Sequence, residues 1–317
     1  MYKGMKIRLA RLAALSGAFL AVAGLGGCSL LTPTRAEVPP RTVRTKVTTP
    51  VIATKGVLTV AIDASDAPQA MEAADGGLVG YSVDVARAIA QRLGLKASFV
   101  TDEGPDAVGS DAADIYIGAS SDDESDDVEV AGSYLENAPA LFSASDSISA
   151  PVSISDLSGM TVGVQSSSAA QDIIASTDAP VTVETYGNVN ECLEALGSGE
   201  VDLVACDATA GSYLARAHGG AHFVGALDSV TSYGIAVRAR NADLSAAVMG
   251  ALDELEADGT LDAIHTAWYG RMPRSIADSM VSGVLTSEER RAAEEEERRL
   301  AEEREEEGAL EGEVGGE

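Results

Sequence analysis

The chain has 317 residues, a formal net charge of −28 and only 4% aromatic residues. This length allows two compact lobes, or one domain with long ends. The negative charge argues against nucleic acid as a partner, because a phosphate backbone is itself strongly negative. Two interpretations of the acidity remain open, an adaptation for solubility or high salt and an attraction for cationic solutes.

The first 28 residues have the parts of a bacterial lipoprotein signal peptide. A basic start is followed by an apolar stretch, residues 12–26, that is too short to span a membrane stably. The stretch ends in LGGC, a lipobox, so Cys28 is predicted to be lipidated and to hold the protein at the extracytoplasmic face of the cell membrane. The alternative is a simple buried N-terminal helix. Residues 29–55, rich in Thr, Pro and basic residues, are predicted to be a disordered tether.

A strand, a loop, a helix and a second strand are predicted next. Residues 57–62 form a β-branched run that ends at Asp63. Ser82 stands at an N-cap position, and an apolar stripe at helical spacing then runs to Gly94. Because residues 97–100 continue as a strand, the unit requires a parallel sheet. Ligands bind beyond the carboxyl ends of such strands, so Asp63 is predicted to border a crevice.

A second series of strands and helices occupies the middle of the chain. Residues 157–165 are predicted to be a turn and a strand that lead through three serines into a helix. Residues 189–196 have the apolar spacing of a short helix, and 201–206 read as a buried strand ending at Asp207. A further strand is predicted at 233–238, followed by amphipathic helices.

Four of these segments resemble the family 3 extracellular solute-binding proteins of amino-acid ABC importers. They are LVGYSVDVA (78–86), DLSGMTVGVQ (156–165), SGEVDLVACD (198–207) and the stretch from YGIAVR to TAWYG (233–270). The resemblance covers roughly residues 56–270. It implies an α/β protein with a two-lobed, periplasmic-binding-protein-like type II fold, in which two α/β lobes are joined by two crossing strands.

The resemblance also implies a division of the chain and a set of partners. Residues 56–138 and 232–270 would form the first lobe, and residues 139–231 the second. Residues 271–317 are predicted to be a linker and an acidic tail whose Glu and Arg spacing favours an exposed helix. The implied partners are a small polar solute and an ABC permease with its ATPase, and the protein is expected to be a monomer without cofactor or metal.

The resemblance assigns a set of residues to the crevice. In the family, an Asp at the end of a second-lobe strand holds the ammonium of the ligand, and Asp207 matches it; a cap on the following helix, at Thr209, is the alternative. An N-cap role is likewise the alternative for Ser168. The full ligand-binding set is Asp63, Asp66, Ser120, Ser121, Gln165, Ser168 and Asp207.

The sequence departs from the family at the groups that hold the ligand. The Arg that clamps the ligand's carboxylate falls on Asp126, or on Ser125 with a one-residue shift. The aromatic residue that covers the ligand falls on Asp66, and a second one on Gln69. Since Asp repels a carboxylate, the predicted ligand has a cationic or neutral polar head.

Two further features have competing interpretations. Cys192 and Cys206 would form a disulfide in an oxidising compartment, or remain as two buried free thiols. His218 and His222 have i, i+4 spacing, but the two glycines between them break the helix that a metal site would need. No catalytic residues are therefore expected. Alternatives to import are a sensory or signalling ligand-binding domain and a dehydratase-like enzyme on the same fold.

Overall fold

The computed structural model describes residues 44–144, 152–218 and 220–314, which contain two five-stranded sheets with helices on their faces. The strands are β1 (Val57–Ile62), β2 (Met71–Glu72), β3 (Leu78–Val79), β4 (Lys96–Thr101), β5 (Ile115–Ala119), β6 (Val128–Asn137), β7 (Pro139–Ser143), β8 (Thr161–Gln165), β9 (Thr182–Tyr186), β10 (Leu203–Asp207), β11 (His222–Ala226) and β12 (Thr231–Arg238). The helices are α1 (Tyr81–Leu93), α2 (Asp106–Gly109), α3 (Ala169–Ala175), α4 (Val189–Ser198), α5 (Ala208–Ala215), α6 (Ala242–Ala257), α7 (Thr260–Tyr269) and α8 (Ser287–Val314).

The first lobe is built on a sheet with the strand order β4-β1-β5-β12-β6. Strand β1 pairs in parallel with β4 and β5, whereas β12 runs antiparallel to β5 and β6. Helix α1 buries the apolar stripe predicted from its spacing and ends at Gly94, whose φ of 71° is accessible to glycine at low cost. The carboxyl ends of β1, β5 and β6 therefore meet at one edge with the start of β12.

The second lobe is built on a sheet with the strand order β11-β7-β10-β8-β9. Strands β8, β9 and β10 are parallel, and β7 is antiparallel to β10 and β11. The chain passes from the first sheet to the second between β6 and β7, and it returns between β11 and β12. Beside these crossings α5 packs on α7, where the Tyr213 and Trp268 rings stack with centroids 5.8 Å apart.

The segment before β1 is packed against the first lobe, so the predicted tether is wrong for residues 44–55. Val47 and Ile52 are buried, at 6% and 1% exposure. The Asp114 carboxylate accepts hydrogen bonds from the backbone N–H groups of Ala53 and Thr59, both at 2.8 Å. Two buried apolar side chains and this carboxylate order a segment whose composition alone favours disorder. The signal peptide, Cys28 and residues 29–43 lie outside the described residues.

The segment between α7 and α8 is also packed, which corrects the linker predicted at the start of residues 271–317. Ile276 and Val281 are buried, and the Val281 N–H donates to the carbonyl of Ala226 at 2.8 Å. Helix α8 then begins where the Ser287 N–H donates to the buried Asp228 carboxylate at 2.7 Å. Scattered apolar residues without periodicity were sufficient to hold this segment. Within the described ranges, none of the helices combines the length and the apolar character that crossing a membrane requires.

Candidate functional site

A pocket of about 50 Å³ lies in the first lobe, at the edge where the carboxyl ends of β1, β5 and β6 meet. Two acids, one amide, three tyrosines and one serine supply its polar groups, and small or aliphatic residues complete it. The described residues that line it are Ile62, Asp63, Asp66, Gln69, Ser82, Tyr116, Ile117, Gly118, Tyr134, Leu135 and Tyr233. None of these residues is a Lys, Arg or His.

The loop after β1 presents the two predicted acids to this pocket. The Asp63 carboxylate accepts hydrogen bonds from the N–H and hydroxyl of Ser65, at 2.8 and 2.7 Å, which holds the loop in a tight turn. Desolvation raises the pKa of Asp66, and the negative charges of Asp63 and Asp207 raise it further. Contact of either acid with a solute stays a prediction.

Gln69 is placed by a close approach of two backbone segments. A Cβ on Gly80 would lie 2.1 Å from the carbonyl oxygen of Gln69, and φ of Gly80 is 151°. Only glycine fits there without displacing the loop. The Ser82 N–H, at the start of α1, donates to that same carbonyl at 3.0 Å. Gln69 itself is only 8% exposed, so its side chain has little freedom to move.

Three tyrosines form the walls of the pocket. The Tyr134 hydroxyl shares a hydrogen bond of 2.8 Å with the Ser82 hydroxyl, and both side chains are buried. Burial raises the pKa of Tyr116 to about 12, with further contributions from nearby acids, Asp63 first among them. Desolvation and the charge of Asp207 likewise raise the pKa of Tyr233. The hydroxyls therefore stay protonated in a negative electrostatic field.

Asp207 is the N-cap of α5, which is the alternative to direct ligand contact. One carboxylate oxygen accepts from the Ala210 N–H at 3.0 Å and from the Thr209 hydroxyl at 2.8 Å. The other accepts from the Asn137 amide at 2.5 Å. Asp207 is therefore a helix cap whose charge reaches the pocket, and its contact with a ligand ammonium stays a prediction.

The predicted hydroxyl and amide residues lie outside the described pocket lining. Ser168 caps α3 by accepting from the Gln171 N–H at 3.2 Å, which is the alternative given for it. Ser120 donates its N–H to the Asp123 carboxylate at 2.8 Å, so it is occupied in a local turn that continues into the exposed Ser121. Gln165 ends β8 in the second lobe and is half-buried. Ligand contact by these four residues, Ser120, Ser121, Gln165 and Ser168, stays a prediction.

The predicted disulfide is absent from the described chain, because Cys192 and Cys206 are both free. Both thiols are buried in one apolar cluster. Desolvation raises the pKa of Cys192 to about 11 and also raises the pKa of Cys206. These cysteines behave as small core residues, the second of the two alternatives.

The remaining candidates are the histidines and the positions aligned with the clamping Arg. His218 bonds to Asn190 at 3.0 Å, and His265 is buried between aromatic rings, with its ring 5.1 Å from that of Tyr269. Among the residues described, no group of three or more His, Cys, Asp or Glu is placed to hold a metal ion. Asp126 and Ser125, the positions aligned with the carboxylate-clamping Arg, are exposed and offer no cation.

Sequence reasoning missed most of the pocket. It identified Asp63 and Asp66, but it treated Gln69 only as a lost aromatic and did not single out Tyr116, Tyr134 or Tyr233. One usable signal was present, because Tyr116 belongs to the apolar stretch DIYIGA (114–119), which directly precedes the predicted site residues Ser120 and Ser121. Tyr233 lies on β12, which pairs with β5, and Tyr134 lies on β6, which pairs with β12, so only the sheet order brings both to the pocket.

Comparisons with known proteins agree with this architecture. The L-cystine-binding protein TcyJ of Escherichia coli K12 is 26% identical over 222 residues, which cover 68% of this chain and 84% of that protein. The L-arginine-binding protein of Pseudomonas aeruginosa is 26% identical over 235 residues, covering 69% and 90%. The unliganded, open L-cystine solute receptor of Neisseria gonorrhoeae superposes with a TM-score of 0.58 over 72% of this chain and 96% of that one, at 22% identity. This last likeness concerns the fold alone, and it confirms the predicted two-lobed type II architecture.

A family model establishes the relationship. The bacterial extracellular solute-binding proteins, family 3, match residues 58–271, which is more than half of the chain. This family, like the relatives above, consists of binding proteins and not of enzymes. The chain belongs to the bacterial extracellular solute-binding proteins of family 3.

Proposed function

We propose that this protein is the lipid-anchored receptor of an ABC importer. It takes up a small polar solute, amino-acid-like or cationic, between its lobes and delivers it to a membrane permease and its ATPase. Cys28 carries the lipid and keeps the monomeric protein at the extracytoplasmic face of the cell membrane. The cystine and arginine specificities of the relatives support an amino-acid-like or cationic solute.

The observation that carries this proposal is the position of the pocket. It lies at the strand ends of the first lobe, and one of its lining residues, Gln69, bonds to Thr209 of the second lobe at 3.1 Å. A solute held at this place contacts both lobes or excludes water from the space between them. Solute binding then shifts the population of lobe arrangements, which is the signal that a permease can read.

A thermal-shift screen tests the binding role. The full-length protein, purified in mild detergent, is screened against L-amino acids, aliphatic amines and short peptides. A saturable rise in melting temperature with at least one class supports the proposal, since a ligand stabilises the state that binds it. No shift with any class would contradict it. Mass spectrometry of the mature protein tests the anchor, because the proposal requires a diacylglyceryl group at Cys28.

A further inference from the structure

We infer that the base of the first lobe is a docking surface for the anionic headgroups of the lipid bilayer. Its five basic residues, here called the basal face, are Arg44, Lys46, Lys55, Arg92 and Lys96. The inference rests on the proposed function, because it assumes the lipid anchor, and it adds the surface that the anchored protein turns toward the membrane.

Backbone contacts bring the basal face together at one end of the first lobe. The Lys96 N–H donates to the Gly56 carbonyl at 3.0 Å, where β1 and β4 begin side by side. The Lys46 N–H donates to the Leu93 carbonyl at 2.9 Å, where α1 ends. The other three members stand within two residues of these four in the sequence. The basal face therefore lies at the amino ends of the strands whose carboxyl ends border the crevice.

The distribution of lysine in the chain also marks this face. Beyond Cys28 the sequence contains three lysines, and all three, Lys46, Lys55 and Lys96, belong to the basal face and are exposed. Apart from histidine, arginine is the basic residue in the remainder of this acidic chain. An exposed lysine is a mobile point charge that binds phosphate without a fixed partner geometry, as contact with a fluid layer of headgroups requires.

The basal face carries more positive charge than its protein neighbours neutralise. Lys46 pairs with Glu254 at 2.6 Å, and Arg92 pairs with Asp258. The other three members form no ion pair with another residue of the described ranges, so the two paired acids leave three positive charges uncompensated. The carbonyl end of α1 favours a cation in its last turn, but it does not account for Lys55 beside β1.

An anionic bilayer orients this protein because the two ends of the first lobe differ in charge. Each Lys or Arg close to such a surface favours the docked state about fivefold, which corresponds to about 1 kcal/mol. The crevice end instead presents Asp63 and Asp66, which the bilayer repels. Screening limits these effects to about 10 Å at about 0.1 M salt, so the face in contact decides the outcome.

The place where the described chain begins favours the same orientation. Arg44 is its first residue, and the chain from Cys28 to Arg44 can span at most about 55 Å. That connecting stretch contains Arg35 and Arg41 against one acid, Glu37, so positive charge continues toward the anchor. Strand β1 is about 20 Å long, so docking of the basal face holds the crevice away from the bilayer and open to solutes.

Lysine acetylation on vesicles tests this docking. The lipidated protein is inserted from detergent into preformed vesicles of phosphatidylcholine, or of phosphatidylcholine and phosphatidylglycerol in equal parts, and peptide mapping follows each lysine. We expect Lys46, Lys55 and Lys96 to react about threefold or more slowly on the anionic vesicles, and this protection to vanish at 1 M salt, where the Debye length is about 3 Å. The lysine introduced by Arg298→Lys, at an exposed position of α8, is the control and should react equally on both.

Three results would overturn the inference. Equal rates at the basal lysines on the two kinds of vesicle would do so and would leave the anchor and the receptor function intact. Protection that appears only in membranes containing the permease would replace the lipid surface with a protein partner. Failure to associate with either vesicle would remove the anchor and the docking together, while the thermal-shift screen would still report on solute binding.

Charge removal then locates the surface. The double variant Lys55→Gln with Lys96→Gln keeps Lys46 as a reporter on the basal face, and the protection of Lys46 should fall below about 1.5-fold, because each lost cation weakens docking about fivefold. The double variant Arg298→Gln with Arg304→Gln removes the same charge from exposed positions of α8 and should retain the protection. Protection of Lys46 that survives the first double variant would refute this placement of the docking surface.

Discussion

The hydrogen bond from Gln69 to Thr209 joins the two lobes, and its energetic weight can be measured by a double-mutant cycle. Thr209 is 1% exposed and Gln69 is 8% exposed, so neither group has ready access to water. Thr209→Val keeps the side-chain shape but leaves the Gln69 amide N–H groups buried and unpaired, at a cost of about 1–3 kcal/mol. Thr209→Val also removes the bond to Asp207, but that loss is the same with or without Gln69 and cancels in the cycle.

The double variant Gln69→Leu with Thr209→Val leaves no polar group orphaned by this contact. We therefore expect it to be less destabilised than the sum of the single variants by about 1–2 kcal/mol. Urea unfolding reports the difference through the single tryptophan, Trp268, which stacks on Tyr213 where the lobes touch. Thr182→Val, at an exposed position, is the control and should change stability by less than about 0.5 kcal/mol. Additivity within about 0.5 kcal/mol would refute an energetic coupling between the Gln69 amide nitrogen and the Thr209 hydroxyl.

Three further predictions concern backbone fit, pH dependence and thiol chemistry. Gly80→Ala should lower stability by about 3 kcal/mol or more in urea unfolding, because the new Cβ would lie 2.1 Å from the Gln69 backbone carbonyl oxygen. Gly104→Ala is the control and should be nearly neutral, because its new Cβ would have no heavy atom within 4 Å. Equal effects of the two substitutions would contradict the close approach at Gly80. Burial lowers the pKa of His265 to about 4 from an unfolded value near 6.5, so the folded state binds fewer protons. The stability that the neutral ring contributes is therefore present above pH 6.5 and is lost as the pH falls toward 4. Between pH 7 and 4.5 the wild type should lose about 2 kcal/mol more than His265→Phe, and identical pH profiles would show that the ring is not held neutral. Iodoacetamide should alkylate Cys192 and Cys206 only after the protein is unfolded, and peptide mapping would show which cysteine is labelled. Labelling of these cysteines in the native protein would show that they are not buried. No labelling after unfolding without reductant would show that they are not free thiols.

The strands and helices of the lobes could be predicted from local pattern, because burial of one face imposes a period on the chain. Helix α1 shows this, since its apolar stripe and its terminal Gly94 mark a helix without knowledge of its neighbours. Packing of irregular segments could not be predicted in this way. Val47, Ile52 and Ile276 are buried in the core but stand in the sequence without periodicity, so composition alone predicts a tether and a linker where the structure has packed segments.

By itself, the sequence determined the chain's acidity, and its resemblance to a known family implied the two-lobed architecture, since charge and motifs are properties of the chain. Only the tertiary structure decided which side chains share the pocket, because Tyr134 and Tyr233 are distant in sequence and adjacent only through the order of the strands. It also decided that Asp207 caps α5, because the cap depends on where Asn137 and Thr209 lie after folding. The direction of the Gln69 amide, in turn, follows from the hydrogen bond that the Thr209 hydroxyl donates to Asp207, because the hydroxyl oxygen can then only accept from Gln69.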